Sequence, residues 1–298
     1  MDESQWLAER FEEHRGHLRA VAYRMLGSLT EADDAVQDAW VRVSRAGADD
    51  VDNFGGWLTT IVARVCLNML RSRNVRREAS LDAHVPDPVI TALRRSDPEE
   101  EALLADSVGL ALQVVLDTLS PAERLAFVLH DMFDLPFEEI APMVARTPTA
   151  TRQLASRARR RVKGAAVPAP DSDVDRQREV VNAFFAAARG GDFDALVAVL
   201  HPDVVLRADF GPSRPAASGI FRGAAAVAEQ ARLGANPAAT LVPVLVNGLA
   251  GTVITLQGRP FAILAFTVVD GKIAEIDAIG DPERVQRVAA GALAGSEG

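Results

Sequence analysis

The apolar residues Trp6, Leu7, Phe11, Leu18, Val21, Ala22, Met25 and Leu26 recur at steps of three and four, which predicts a helix with one buried stripe. The pattern breaks at Gly27-Ser28-Leu29-Thr30. Thr30 can cap a second helix whose first turn carries Glu31, Asp33 and Asp34 and whose inner positions are Ala35, Val36, Ala39, Trp40 and Val43. A polar loop over Gly47 to Asp52 and the run Phe54-Gly55-Gly56-Trp57 lead into a third helix, through Leu58, Ile61, Val62, Val65, Leu67 and Leu70 toward Arg71 and Arg73. Residues 78–100 lose the period and hold Pro86, Pro88 and Pro98, so they read as a linker extended around its prolines.

Helical spacing returns near Glu99 and continues through Leu103, Leu104, Val108, Leu112, Val115, Leu116 and Leu119. Ser120-Pro121-Ala122-Glu123 then restarts the chain with a Ser cap, Pro at the first helical position and Glu three residues after the cap, the pattern of a capping box. That helix, with Leu125, Ala126, Val128 and Leu129 inside, ends around Asp134. A short helix over Phe137 to Val144, a turn at Ala145-Arg146-Thr147 and a helix from Pro148 to Lys163 have the spacing of a helix-turn-helix.

Beyond a linker rich in Ala, Pro and Asp over residues 165–173, the period changes. Helices are expected over Val174 to Ala188 and Asp194 to Leu200, and strands over Val204 to Ala208, Leu241 to Val246, Val253 to Leu256 and Phe261 to Val269. His201-Pro202-Asp203 reads as a loop before the first of these strands. Asp270-Gly271 joins the last to Lys272 through Ile279 as a hairpin. Helices feeding a curled antiparallel sheet describe an α+β cone.

Composition adds constraints. Of 298 residues, 48% are hydrophobic and 24% charged, and no apolar run approaches twenty residues, so a membrane span is not expected. The acidic start Met1-Asp2-Glu3-Ser4 is not followed by a signal-peptide core, which points to the cytoplasm. The single cysteine, Cys66, lies among apolar residues and reads as core. The net charge is −9, but it is unevenly spread: Arg64 to Arg77 holds five arginines and no acid, and Arg146 to Lys163 six arginines, one lysine and no acid. Phosphate attraction is local, so an acidic body with two basic stripes can still be seated on DNA by a carrier.

The second helix of the helix-turn-helix carries Arg152, Arg157, Arg159, Arg160 and Arg161, with Thr149, Thr151 and Gln153 near its start, where such helices meet base edges; Leu154, Ala158 and Val162 are left to face inward. Four motifs, in order, then show a resemblance. Asp33-Asp34-Ala35-Val36-Gln37-Asp38-Ala39-Trp40-Val41-Arg42-Val43 resembles the polymerase-binding helix of sigma factors of the extracytoplasmic function (ECF) family. Trp57 to Arg64 with Asn68 resembles that family's promoter-melting helix. Leu119 to Arg124 and Leu135 to Ala141 resemble its second conserved domain.

The resemblance implies that Asp34, Gln37, Asp38 and Trp40 meet core RNA polymerase, that Asn53, Phe54, Trp57, Arg64, Asn68, Arg71 and Arg73 meet the −10 element, and that Thr149, Thr151, Arg152, Gln153, Arg157, Arg160 and Arg161 meet the −35 element of promoter DNA. Aromatic faces can stack on unpaired bases while arginines follow phosphates. Phe54 and Trp57 are equally suited to a core. Arg64 and Asn68 are polar on an apolar helix, which asks for a reason.

A short sigma factor followed by a SnoaL-like (NTF2-like) cone resembles the SigJ-type subgroup. His84-Val85-Pro86-Asp87-Pro88 is similar to its linker motif, Asp209-Phe210-Gly211-Pro212-Ser213 stands at its glycine-rich Asp motif and Asp281-Pro282-Glu283-Arg284-Val285 at its Asn-Pro motif. The linker lacks the subgroup's tryptophan, and Phe, Pro and Ser stand where glycines and a basic residue are usual. This implies a regulatory contact through Pro86, Asp87, Pro88, Asp209, Gly211, Asp281 and Pro282, with the cone folding back to tune promoter activity.

The expected architecture is multidomain: an all-α region 2 bundle (1–77), a linker (78–100), an all-α region 4 helix-turn-helix (101–164), a second linker (165–173) and an α+β SnoaL-like cone (174–290). The expected partners are core RNA polymerase, promoter DNA and, as a candidate, a small ligand in the cone; no cofactor, metal, catalytic residue or membrane contact is expected. Two alternatives stay open. Cones of this shape also host isomerases and cyclases, and Asp209, Glu275, Asp277, His201 and Arg207 are the candidate cavity groups, although the only tyrosine, Tyr23, lies in the N-terminal helices. A ligand-responsive helix-turn-helix repressor would leave the Asp34 to Asp38 motif unexplained.

Overall fold

The computed structural model describes residues 3–46, 53–76, 84–92, 110–165 and 169–293. The chain divides into two compact units, one of residues 1–79, 98–106 and 115–166, the other of 80–97, 107–114 and 167–298.

The first unit is helical. Helices α1 (Glu3–Leu26), α2 (Leu29–Ala46) and α3 (Phe54–Arg76) pack around Phe11, Leu18, Val21, Met25, Leu26, Val36, Val43, Leu58, Val62 and Leu67. Each such side chain contributes roughly 1.5–3 kcal/mol on burial. Gly27, with φ 74°, ends α1 as its N–H donates to the Tyr23 carbonyl. Cys66 is fully buried, and burial pushes its thiol well above the ordinary range, as expected of a packed and unreactive group.

After α4 (Leu110–Asp117), the Ser120 hydroxyl and the Glu123 side chain close the capping box that starts α5 (Pro121–Phe127). A π-helical turn, Val128–Met132, extends it. The helix expected from Phe137 is shorter than its apolar pattern: α6 covers Phe137–Ile140, and the chain turns before Ala145, whose φ is 52°. Thr147 caps α7 (Pro148–Gly164) by accepting from the Ala150 N–H. Residues 99–109, where helix was expected, lie outside the described residues.

The second unit is the α+β cone. Helices α8 (Val174–Gly190), α9 (Phe193–Val199) and α10 (Ala224–Gly234) serve a seven-stranded sheet of order β1-β4-β5-β6-β7-β2-β3: β1 (Ile90–Ala92), β2 (Leu200–Asp209), β3 (Gly219–Arg222), β4 (Ala239–Val246), β5 (Leu249–Leu256), β6 (Arg259–Val269) and β7 (Lys272–Ile279), followed by α11 (Pro282–Leu293). All pairs are antiparallel except β2 with β7.

Alternation along the strands makes two cores. On the inner face Phe184, Leu196, Val227, Phe266 and Ile276 pack under α8, α9 and α10. On the outer face Val244, Val246, Val253, Ile263 and Ile279 are covered by Val85, Ile90, Leu110, Val285 and Ala289.

Three expectations change. The segment read as linker contributes β1, paired in register Ile90 to Val246 and Ala92 to Val244 along the edge of the sheet. His201-Pro202-Asp203 is part of β2; the register slips between Leu200 and Val205, which lets Pro202 sit in a strand without a lost ladder bond. Finally β3, α10 and α11 were not anticipated.

Candidate functional site

Positions 34, 37 and 38 fall on the outer side of α2 because Ala35, Val36, Ala39 and Val43 turn inward; Asp34, Gln37 and Asp38 are exposed, and Asp38 meets Arg42 at 3.4 Å. Trp40 is half-buried against the Phe11 ring, centroids 5.0 Å apart.

On α3, Arg64, Asn68 and Arg71 are exposed. The groove shared by α2 and α3, about 330 Å³, is lined by Asn68, Asp38, Arg42 and Arg73 among others. Phe54 and Trp57 are half-buried in an aromatic group with Trp6 and His14: Phe54 lies 5.7 Å from each tryptophan ring and 6.0 Å from the imidazole. Two −10 candidates also bond within the protein. Asn53 caps α3, its Oδ1 accepting the Gly56 N–H at 3.0 Å. Arg73 turns to the protein, donating to the Leu26 carbonyl at 3.1 Å and to Glu31 at 2.9 Å.

On α7, Thr149, Arg152, Gln153, Arg157, Arg160 and Arg161 are exposed. Thr151 is the −35 candidate that needs correction: it is fully buried, and its hydroxyl donates to the Thr147 carbonyl at 3.0 Å, because the period of α7 puts it with Ala155 and Ala158 on the inner side. Arg157 and Arg161 flank Glu123 at 3.6 and 3.1 Å. Burial alone would raise the Glu123 carboxyl, but hydrogen bonds from Ser120 and the two arginine charges leave it below its ordinary value. Arg159 pairs with Asp131 at 2.5 Å, Arg152 covers the Phe137 ring at 5.3 Å, and Arg160 donates only to the Ser156 carbonyl among the described residues.

Two of the residues expected at the regulatory contact, Asp87 and Asp209, meet at a residue outside that set. Arg284, on the first turns of α11, donates to Asp87 at 2.7 Å, to Asp209 at 2.6 Å and to the Val85 carbonyl. Asp209 also accepts from the Val85 N–H, and His84 lies 3.2 Å away. Burial would raise the Asp209 carboxyl; the bonds from His84, Val85 and Arg284 outweigh it and hold the group well below the carboxylate range. Arg287 adds a second bond to Asp87, and Asn247 exchanges bonds with the backbone of Val89.

Asp281 caps α11 by accepting the Arg284 N–H. Its carboxylate fills the space a Cβ on Gly211 would need, and Gly211 has φ 68°, so glycine is required there twice over. Pro86 and Pro88 are buried, and Pro282 opens α11. The signal for Arg284 was present: a cation three residues after a capping acid, in a motif already singled out.

The five candidate cavity groups do not meet. Arg207 joins Glu275 at 3.1 Å and Asp277 at 3.2 Å in a buried cluster whose strand positions alternate with those facing the cavity. Asp209 is at the linker contact, and His201 Nδ1 accepts the Asp203 N–H. The inner-face cavity, about 460 Å³, is lined instead by apolar side chains with Arg189, Arg214, Gln230 and Asn236.

Residues 10–76 match Sigma-70 region 2 and residues 109–162 match Sigma-70 region 4. ECF RNA polymerase sigma factor SigJ of Mycobacterium tuberculosis is 38% identical over 291 residues, covering 92% of this chain and 91% of its own. The chain belongs to the ECF family of RNA polymerase sigma factors. Probable sigma factor SigI of the same organism is 34% identical, covering 90% and 91%. The crystal structure of M. tuberculosis SigJ superposes with a TM-score of 0.71 at 34% identity, over 93% of this chain and 97% of that one. As a sigma factor the chain binds core polymerase and directs promoter-specific initiation; sigma factors are not enzymes, and the repressor reading falls. No helix among the described residues is long and apolar enough to cross a membrane.

Proposed function

We propose that this sigma factor docks on polymerase through the exposed Asp34, Gln37 and Asp38 edge of α2. Arg64, Asn68 and Arg71, with the rings of Phe54 and Trp57, meet the −10 strand. Thr149, Arg152, Gln153, Arg157, Arg160 and Arg161 meet the −35 duplex. On this reading the protein works in the cytoplasm, where polymerase is.

The cone is a regulatory domain. It acts through residues 84–92, the described part of the chain between α3 and α4. The observation that carries this is the Arg284 grip on Asp87 and Val85, reinforced by the pairing of β1 with β4. A linker held in a sheet cannot stretch, so the reach between the two promoter-reading domains depends on whether the cone holds or releases it.

Run-off transcription with core polymerase tests the reading. Arg284→Ala and Asp87→Asn should change transcript yield from one promoter at least threefold while polymerase binding stays unchanged, and Arg284→Lys should restore part of the difference. Yields equal to wild type for both variants, in chains that remain folded by circular dichroism, would sink it.

A further inference from the structure

The cone's cavity has a composition that selects a ligand. Its body is apolar, with Phe184, Leu206, Phe221, Ile254 and Leu264 on facing walls, and about 460 Å³ is room for a molecule of roughly a dozen heavy atoms or more. One wall carries the Arg214 guanidinium, 5.6 Å from the Phe210 ring centroid and 4.9 Å from that of Phe261. Arg214 has no carboxylate partner among the described residues, where its one hydrogen bond runs from Nη2 to the Gly280 carbonyl at 3.1 Å. Arg207 and Arg284, by contrast, each hold two carboxylates. A cation seated between two rings over an apolar cavity, with donors to spare, suits an anion delivered with an apolar body.

Arg214 also sits one step from the linker contact. Phe210, in the cavity wall, follows Asp209, whose carboxylate accepts from Val85 and Arg284. The Gly280 N–H donates to the Asp209 carbonyl, and the Gly280 carbonyl is the group Arg214 holds. The Phe210 ring lies so close over Gly280 that a Cβ there would meet it at 2.1 Å. Next in the chain, Asp281 caps the helix that presents Arg284. Segment 209–214 thus lines the cavity through Phe210 and Arg214, and segment 280–284, bonded to it through Gly280, grips the linker through Arg284.

We propose that the cavity binds an amphipathic monocarboxylic acid, its carboxylate on Arg214 and its apolar body among the phenylalanines, and that occupancy alters the cone's hold on residues 85–92. The second half rests on the regulatory reading above; the first does not. A carboxylate drawing Arg214 away from the Gly280 carbonyl disturbs the one backbone segment bonded both to Asp209 and to the cap of α11. Straight-chain and ring acids share this chemistry, and decanoate and 2-naphthoate represent the two sources.

Calorimetry on the full-length chain tests binding, with decanol as the uncharged match. At least one acid should bind saturably, decanoate at least tenfold more tightly than decanol if the chain form fits. Arg214→Gln should remove that preference while leaving decanol binding, and Ala231→Trp, at the cavity wall, should abolish both. No saturable binding of either acid, or a preference untouched by Arg214→Gln, overturns the site. Hydrogen exchange at the Val85 and Val89 amides reads the coupling without polymerase. A change in protection of threefold or more on saturation supports it, and none, with binding intact, overturns the coupling alone. Failure of the Arg284 transcription test with this exchange effect intact would count against the regulatory reading and not against the site.

Discussion

The arginines of α7 and those of the cone look alike in sequence and behave oppositely in structure. On α7, Arg152, Arg157, Arg160 and Arg161 stand exposed, and the acids near them are shared: Glu123 serves two arginines at once. In the cone, Arg207 and Arg284 are each mostly buried and each holds two carboxylates. An exposed cation has its charge screened by water and is available to phosphate; a buried one is stable only with its partners in place, and becomes a strut whose removal strands them. The same residue type therefore stands as an exposed cationic face in one unit and an internal fastening in the other.

The helical unit holds an exception that tests this division most severely. Arg124, on α5, is 2% exposed; it donates twice to the Arg24 carbonyl at 3.0 and 2.9 Å and pairs with Asp117. If burial and not location decides an arginine's role, Arg124→Ala should lose about 3–5 kcal/mol of stability, as expected when one partner of a buried pair is removed. Urea unfolding of the full chain measures it. A loss under about 1 kcal/mol would show that buried arginines here are dispensable and erase the contrast.

The cone's second cluster gives an effect of intermediate size. Asp277 is fully buried and shares Arg207 with Glu275; desolvation, with the Glu275 charge, outweighs Arg207 and pushes its carboxyl up to about 6 from an ordinary 3.8. Arg207 itself stays firmly protonated between the two acids. Because the folded state holds the Asp277 proton more tightly than the unfolded chain, this contribution is largest at low pH and is lost as pH rises through about 6. Stability should thus fall by about 1 kcal/mol between pH 5 and 7.5. Asp209 does not interfere, since its lowered carboxyl keeps its contribution above the ordinary carboxylate range and loses it only in stronger acid. Asp277→Asn should flatten the slope in this window, and a slope unchanged by that substitution would mean that another group sets it.

The helical unit was the more legible because its signals are local. The capping box at Ser120 and the period of α3 each depend on residues within one or two turns; the restart after Gly27 was legible too, although the cap is Ser28, whose hydroxyl accepts from the Glu31 N–H, and not Thr30. What misled there was the helix face: Thr151 sits among the exposed residues proposed to meet the −35 duplex, yet the 3.6-residue period carries it inward. In the cone, Asp270-Gly271 announced its hairpin, while Asn247-Gly248 and Gln257-Gly258, with φ of 49°, 79°, 51° and 74°, make the same kind of turn and went unread. The short strands β1 and β3 owe their pairing to partners 11 to 156 residues away, which no local pattern records. Arg284 was hidden for the same reason. Its partners Asp87 and Asp209 lie 197 and 75 residues back along the chain.

The smallest effect on folding belongs to the exposed arginines, where the comparison can be sharpened within one helix. Arg160→Ala removes a cation whose one protein bond among the described residues is to its own helix, so stability should stay within about 0.5 kcal/mol of wild type. Affinity of the polymerase complex for a −35-dependent promoter should fall about tenfold, with the salt slope reduced by about one phosphate contact. Thr151→Ser on the opposite side of α7 should do the reverse: deleting a buried methyl costs about 1 kcal/mol while the hydroxyl still reaches Thr147, so promoter affinity should stay unchanged. Filter binding at three salt concentrations, beside thermal unfolding of both variants, separates the two faces. If Arg160→Ala left binding and its salt slope intact, the basic face of α7 would be only a solvated surface, and the contrast with the cone's buried arginines would reduce to one of burial without function.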